Sequence, residues 1–123
     1  MSLVSIRGAI TVEENTKTAI LEATTKLLQA VLKANQVEIA QIVHIYFTGT
    51  KDLNAVYPAV AARALGITEA ALMCFQEMDV EGSLKQCIRL DMLVENTFLT
   101  RGTVKHQYLE KAKVLRPDLT KES

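Results

Sequence analysis

The sequence has few cysteines, prolines and glycines and no excess of charge of either sign. Its 123 residues include 2 Cys, 2 Pro and 5 Gly, and 14 Lys and Arg residues balance 14 Asp and Glu residues. This composition excludes a collagen-like or disordered chain. Balanced charge excludes a bulk positive field that would gather nucleic acid or an acidic membrane surface. Any electropositive site must therefore be local.

Cysteine spacing and the length of the apolar runs exclude further classes. Cys74 and Cys87 belong to no CxxC or Cys/His cluster, so neither a zinc site nor a disulfide framework is indicated. The apolar runs fall far short of the roughly 20 residues that cross a bilayer. Arg7, Glu13 and Glu14 interrupt the first apolar residues, which is not typical of a signal peptide. We therefore expect a cytoplasmic protein with reduced thiols.

The length and the hydrophobic content predict one domain with a substantial core. Hydrophobic residues make up 49% of the chain and charged residues 23%, and single cores usually organise about 100 to 150 residues. We expect this domain to span residues 1–123, with 116–123 as a flexible tail.

Hydrophobic periodicity predicts five strands and two helices, in the order β-α-β-α-β-β-β. Apolar residues alternate with polar ones in the strands and recur every three or four residues in the helices. The predicted strands are Leu3–Ile10, Ile42–Phe47, Ala70–Phe75, Gln86–Glu95 and Val104–Leu115, and the predicted helices are Asn15–Ala34 and Pro58–Leu65. The fold class is therefore α+β: an α/β sandwich with one mixed sheet and both helices on one face.

Local signals add three expectations. Thr11 and Glu14 have the spacing of a capping box before the first helix. Asn35 suits the left-handed position that ends a helix. Ile42–Phe47, dense in β-branched and aromatic residues, is expected to be a central strand. Two helices can cover only one face of the sheet. We therefore expect copies of the same chain to cover the other face.

Few residues suggest covalent or acid–base catalysis. The sequence has no Gly-x-Ser-x-Gly motif and no glycine-rich phosphate loop, so neither a nucleophile elbow nor a nucleotide cofactor is indicated. His44 and His106 are interpreted as structural histidines.

Arginine is the remaining candidate for chemistry. Arg89 lies in the middle of a predicted strand, opposite a strongly apolar face, where a charge must meet solvent or a partner. Guanidinium groups bind carboxylates in bidentate fashion and stay charged at physiological pH. The residues alone therefore predict a site for an anionic small molecule, without naming a reaction.

Several blocks of sequence, taken in order, carry a resemblance to a known family. The blocks are Ile6-Arg7-Gly8-Ala9, Thr11-Val12-Glu13, Ala55-Val56-Tyr57-Pro58-Ala59, Arg63, Cys74-Phe75-Gln76-Glu77-Met78-Asp79-Val80, Cys87-Ile88-Arg89, Tyr108-Leu109-Glu110-Lys111 and Val114-Leu115-Arg116-Pro117-Asp118. Each block alone is weak, but the ordered set resembles the monofunctional AroH class of chorismate mutases over nearly the whole chain.

The resemblance implies a homotrimer with a pseudo-barrel-like core and active sites at the subunit interfaces. It implies an isomerase that converts chorismate to prephenate on the shikimate route to phenylalanine and tyrosine, with no metal or organic cofactor. The reaction is a pericyclic rearrangement without proton transfer or covalent intermediate. Such an enzyme restricts the substrate's conformation and stabilises charge in the transition state.

The resemblance also implies roles for a catalytic set and for two carboxylate-binding residues. Arg89 resembles the cation that contacts the ether oxygen and a carboxylate of the ligand. Glu77 and Cys74 resemble partners of the ring hydroxyl, and Arg7 and Tyr108 resemble the groups that bind carboxylates.

The remaining implied site residues line the pocket or its mouth. Tyr57 and Leu115 would form apolar walls, with Ala59 shaping the pocket beside them. Arg63 and Arg116 resemble entrance residues that attract the dianion, and the second would help the carboxyl-terminal segment to close.

Two features depart from a simple correspondence. Cys74 and Glu77 would point to opposite faces of a regular strand, so we expect the chain to turn after Phe75. Val60 stands where well-known family members carry lysine, which predicts a weaker attraction of the substrate.

Two other functions are compatible with the residues. A non-catalytic trimer could bind a carboxylated metabolite for regulation, since fold does not fix function. A hydrolase or deaminase is the weaker alternative, because no group that would activate water stands out.

Overall fold

The strands form one mixed five-stranded sheet. The computed structural model describes residues 2–95 and 97–116. Strands β1 to β5 are Leu3–Thr11, Ile42–Gly49, Ala71–Gln76, Cys87–Glu95 and Gln107–Leu109. Their order in the sheet is β3-β2-β4-β1-β5. The predicted α+β class is confirmed. β2 lies inside the sheet between β3 and β4, as predicted for a central strand, and β4 takes the middle position.

Strand direction follows from the connections between the strands. β4 is antiparallel to both of its neighbours, β1 and β2. β3 is parallel to β2, and β5 is parallel to β1. The two parallel pairs need crossover connections, and helix α2 lies within the one between β2 and β3.

Both helices pack on one face of the sheet, as predicted. Helix α1 spans Lys17–Asn35 and helix α2 spans Ala59–Ala64. A Cβ atom at Gly8 of β1 would lie 3.1 Å from Leu27 Cδ1 and 3.3 Å from Val31 Cγ2. Glycine at this position therefore lets α1 approach the sheet closely.

The core lies between the helices and the sheet. In β4 the residues Ile88, Leu90, Met92 and Val94 are each at most 1% exposed, and they alternate with half-buried residues, as the sequence predicts. Burying one such aliphatic side chain stabilises the fold by roughly 1.5–3 kcal/mol.

The start of α1 differs from the expectation. Thr11 lies in β1, where its Oγ1 accepts a hydrogen bond from Lys111 N at 3.1 Å. The helix is capped instead by Thr16, whose Oγ1 accepts from Ala19 N at 3.1 Å. The capping box at Thr11 and Glu14 is therefore wrong, because β1 continues through the position proposed for the cap.

The end of α1 also differs from the expectation. The left-handed residue is Gln36, with φ of 52°, while Asn35 remains helical and is 6% exposed. The Asn35 side chain donates to Val31 O at 2.9 Å and to Lys105 O at 3.0 Å, and it accepts from Lys105 N at 2.7 Å. Asn35 therefore ties α1 to the segment before β5.

The predicted last strand is much shorter in the structure. β5 covers Gln107–Leu109, and a 3-10 helix follows at Glu110–Leu115. Glu110 has φ of 54°, a left-handed conformation that ends the strand. Residue 116 is described, whereas 117–123, which hold Pro117 and most of the expected tail, lie outside the described residues.

The sheet face opposite α1 and α2, here called the far face, carries exposed hydrophobic side chains. Tyr46, Met73 and Phe75 are 38%, 52% and 47% exposed. The Tyr46 ring stacks on His44 at a centroid distance of 4.0 Å. The expectation that copies of the chain cover this face stays a prediction. Neither helix within residues 2–95 and 97–116 is long and apolar enough to cross a bilayer.

Candidate active site

Arg89 lies on the far face, in the middle of the sheet. Its position in β4 is opposite Ala9 of β1 and Thr48 of β2. Its side chain is 30% exposed, and its Nε lies 3.6 Å from Glu77 Oε1. That nitrogen is buried and has no hydrogen-bond partner among residues 2–95 and 97–116. A partly desolvated cation of this kind interacts strongly with an anionic oxygen.

Glu77 follows β3 and turns its carboxylate toward Arg89. Its backbone N–H donates to Gly49 O at 2.9 Å, which continues the pairing of β3 with β2. Its Oε1 accepts a hydrogen bond from Thr48 Oγ1 at 2.5 Å. The same residue lines a cavity of about 340 Å³, together with the loop of residues 78–85. The carboxylate is thus fixed beside the cation at the rim of a cavity.

Arg7 and Tyr108 lie on neighbouring strands at the β5 edge of the far face. Arg7 is exposed, and its backbone N–H donates to His106 Nδ1 at 2.9 Å. Tyr108 is 8% exposed and packs with Ala9, and Leu115 packs against the same cluster. Both predicted carboxylate-binding residues therefore lie on the same face as Arg89.

The pKa of His106 shows that positive charge gathers at this edge. Burial is the largest effect that lowers its pKa, followed by the charges of Arg116 and Arg7, while Asp91 opposes them. Because Nδ1 accepts a hydrogen bond, the imidazole is in a neutral form. The charges of Arg116 and Arg7 therefore both reach His106.

Tyr57, Ala59, Arg63 and Cys74 form a second group on the other side of the sheet. Cys74 lies opposite Phe47 of β2 and packs against the main core. Burial raises the pKa of its thiol, opposed by a hydrogen bond from the Ala59 backbone and by the charge of Arg63. Tyr57, which is 70% exposed, shares with Cys74 the wall of a cavity of about 610 Å³.

The expectation of a turn after Phe75 is wrong. β3 runs to Gln76, and Glu77 still pairs through its backbone with Gly49. Cys74 therefore points to the helix side and Glu77 to the far face, as alternation in a regular strand requires. Within one chain these two side chains do not meet.

The predicted site residues thus fall into two groups. The far-face group is Arg7, Glu77, Arg89, Tyr108, Leu115 and Arg116, and the helix-side group is Tyr57, Ala59, Arg63 and Cys74. Arg7 on β1 and Cys74 on β3 are separated by two other strands, which at about 4.8 Å between neighbours is about 14 Å. Glu77 is near Cys74 along the chain, but its side chain lies on the opposite face. The two groups also lie on opposite faces.

The structure adds contacts that the sequence did not predict. Thr48 bonds to Glu77, and His106 accepts from the Arg7 backbone. Alternation in β2 could have placed Thr48 on the far face, but its pairing with Arg89 depends on strand register. Among residues 2–95 and 97–116 there is no group of three or more His, Cys, Asp or Glu residues that could hold a metal ion.

The fold and the site together define an α+β protein that carries Arg7, Arg89 and Arg116 at one face of its sheet. Comparisons with known proteins make this specific. Residues 3–119 match the family chorismate mutase type I. The chain is 44% identical over 121 residues to the chorismate mutase AroH of Bacillus subtilis (strain 168), covering 98% of this chain and 94% of that protein.

Two further comparisons agree. The chain is 44% identical over 115 residues to the chorismate mutase AroH of Thermus thermophilus, covering 93% of each protein. A solved structure of a chorismate mutase from Clostridium thermocellum superposes with a TM-score of 0.87 and 50% identity, covering 90% of this chain and 98% of that one. The chain belongs to the type I, or AroH-class, chorismate mutase family. Its activity is that of a chorismate mutase, an isomerase, which confirms the prediction made from the ordered sequence blocks.

Proposed function

We propose that the chain rearranges chorismate to prephenate at sites built between the subunits of a homotrimer. Each site would combine the far-face group of one subunit with the helix-side group of its neighbour. The observation that carries this proposal is the separation of the two groups within one chain. A head-to-tail contact that closes into a ring brings two different surfaces of one chain together at every interface.

Arg89 would supply the main catalytic effect. In the rearrangement an ether C–O bond breaks while a C–C bond forms, and negative charge develops on the ether oxygen. The Arg89 guanidinium, half-buried and with its Nε not hydrogen-bonded within the described residues, would stabilise that charge. Fixed donors of this kind commonly contribute about 2.7–4 kcal/mol to the transition state.

The other residues would hold the substrate in its compact, reactive conformation. Arg7 and Tyr108 would bind its carboxylates, since both lie on the far face beside β4. Glu77 of one subunit and Cys74 of the next would contact the ring hydroxyl. Because burial raises the pKa of Cys74, its thiol would stay protonated and donate a weak hydrogen bond.

The pocket walls and entrance would come from the remaining residues. Tyr57 and Leu115 would provide apolar contact, with Ala59 setting the width of the pocket beside Tyr57. Arg63 and Arg116, both exposed, would attract the substrate. Val60 supplies no charge near the mouth, so we expect weaker substrate capture than in relatives that carry lysine there.

We further propose that residues 1–123 form one domain of this family and act in the cytoplasm without a metal or organic cofactor. The match to the family over residues 3–119 supports the single domain. The chemistry supports the lack of a cofactor, because a one-molecule rearrangement needs no electron or group carrier.

Mixing two impaired variants tests the shared site. Arg89→Ala impairs the far-face group, and a chain with both Tyr57→Ala and Arg63→Ala impairs the helix-side group. Activity is measured at limiting chorismate, where weaker substrate binding lowers the rate. All three side chains are partly or largely exposed. If each site combines two subunits, a 1:1 mixture that is unfolded and refolded together regains about a quarter of the wild-type activity, because one interface in four pairs two intact groups.

The controls make the result decisive. Each variant refolded alone should stay far below a quarter of the wild-type activity, and a chain that carries all three changes should give no recovery when mixed with either variant. Native mass spectrometry should find mixed trimers in the recovered sample. Mixed trimers without recovered activity would mean that each site lies within one subunit and would refute the shared site.

A further inference from the structure

Thr48 is a polar residue of the far face that is placed beside both catalytic candidates. It occupies a half-buried position in β2, directly opposite Arg89 of β4 in the strand register. Its Oγ1 lies 2.5 Å from Glu77 Oε1. The same carboxylate oxygen lies 3.6 Å from Arg89 Nε.

The hydrogen of this contact can come from Thr48 alone. An ionised carboxylate only accepts hydrogen bonds, so the threonine hydroxyl is the donor. An O–H···O⁻ bond of this length is at the strong end of the range for charge-assisted hydrogen bonds. By contrast, 3.6 Å exceeds the N–H···O hydrogen-bond range of about 2.7–3.2 Å. Glu77 is therefore held by Thr48 more firmly than by the Arg89 Nε.

This arrangement has a consequence for the cation. A carboxylate that moved closer to Arg89 would form a full ion pair and reduce the positive potential that the guanidinium offers to a ligand. The Thr48 bond fixes the carboxylate beyond hydrogen-bonding distance of Nε. The Arg89 Nε is left buried without a hydrogen-bond partner among residues 2–95 and 97–116, as expected if the donor is kept for another acceptor.

We propose that Thr48 is a positioning residue, which holds the Glu77 carboxylate away from full pairing with Arg89 so that the guanidinium remains directed at the substrate. The inference rests on the proposed roles of Arg89 and Glu77. Thr48 acts through these two residues and not on the substrate itself. Its loss should therefore lower kcat, which depends on Arg89, more than it raises KM, to which Arg7 and Tyr108 contribute separately.

Thr48→Val and Thr48→Ser test the role of the hydroxyl. Valine keeps the branched shape that suits a strand and removes the donor, whereas serine keeps the donor. We expect Thr48→Val to lower kcat about 10-fold, on the scale of a lost hydrogen bond to a charged group, with KM within about 2-fold of wild type. Thr48→Ser should stay within about 3-fold of wild type in kcat.

A double-mutant cycle tests whether Thr48 acts through Glu77. If Thr48 acts through Glu77, adding Thr48→Val to a Glu77→Gln chain should lower kcat by less than about 2-fold further. Thr24→Val is the matched control, because the Thr24 hydroxyl donates to the Ile20 carbonyl of its own helix, away from the far face. Its kcat should remain at the wild-type value. If Thr48→Val does not fold, Thr48→Ala compared with Thr48→Ser gives the same contrast.

Several results would overturn the proposal. These are an unchanged kcat in Thr48→Val, equal losses in the valine and serine variants, a rise in KM that matches the loss in kcat, or full additivity with Glu77→Gln. Wild-type protein that leaves chorismate unchanged would instead refute the function on which the proposal rests. The two failures are therefore distinguishable.

Discussion

Replacing Arg89 with alanine should separate catalysis from stability. The substitution removes the charge that lies at the middle of the far face, on the central strand β4. Loss of one preorganised donor at a developing oxyanion typically lowers kcat by about 100- to 1,000-fold, or about 2.7–4 kcal/mol. Because the side chain is 30% exposed, solvent screens part of its field, and we expect an effect near the lower end of this range.

The stability of the fold should change little. The ion pair with Glu77 joins half-buried side chains, 30% and 23% exposed, at 3.6 Å. An exposed pair contributes roughly 0–1 kcal/mol, and a half-buried carboxylate that loses its cation adds to that cost. Glu77 keeps its hydrogen bond from Thr48. Truncation also removes a buried N–H that has no hydrogen-bond partner within the described residues. We therefore expect the free energy of unfolding to fall by no more than about 1–2 kcal/mol, which leaves the protein folded.

The assay follows the disappearance of chorismate and the formation of prephenate, with urea unfolding measured on the same samples. Arg89→Lys is the matched control, because lysine keeps the charge but lacks the planar fork. Its kcat should lie between those of wild type and Arg89→Ala. An alanine variant that is folded, assembles as the wild type does and retains more than about half of the wild-type kcat would refute the role of this cation.

Two further substitutions test how the β5 edge is held. Burial and the charges of Arg116 and Arg7 lower the pKa of His106, and Asp91 only partly offsets them. His106 therefore binds a proton at higher pH in the unfolded chain than in the folded one. The free energy of unfolding should fall as the pH drops below about 6.5. His106→Asn keeps an acceptor without titrating, so its unfolding free energy should depend less on pH between 7.5 and 5; parallel curves would contradict this. Asn35→Ala removes three hydrogen bonds to the backbone and should lower the free energy of unfolding by about 1–3 kcal/mol, measured in urea; an unchanged midpoint would contradict it.

Strand β4 shows what a sequence can predict. Four aliphatic residues at every second position predicted both the strand and its buried face, and the structure places all four in the core. The same alternation placed Arg89 on the opposite face. These predictions succeed because the two-residue period is a local property, and because one uniformly apolar face can go only toward the core.

The segment 104–115 shows where local patterns fail. Its apolar residues are compatible with a strand, but the structure has three strand residues followed by a 3-10 helix. The change comes at Glu110, whose left-handed backbone is rare for a residue with a side chain. The Thr11 hydroxyl accepts a hydrogen bond from the next residue, Lys111. That contact joins residues 100 positions apart, which periodicity cannot reveal.

The contacts of Thr48 and Glu77 could not be predicted from the sequence for a related reason. Whether Thr48 faces Arg89 depends on the register between β2 and β4, which contains an irregularity between Ile42 and His44. A shift of one residue would move Thr48 to the other face. The residue types that carry the chemistry could be predicted from the sequence, whereas the side chain that positions them could not.

The charges of the proposed site give a physical reason for sharing it between subunits. Among the charged residues of its far-face half are Arg7, Arg89, Arg116, Glu77 and Asp91. Three cations against two carboxylates leave one net positive charge, which is too little to balance a dianionic substrate. Arg63 from the helix side of a neighbouring subunit would supply the second. If the arginines of two copies attract the substrate together, high salt should weaken substrate capture more than the chemical step.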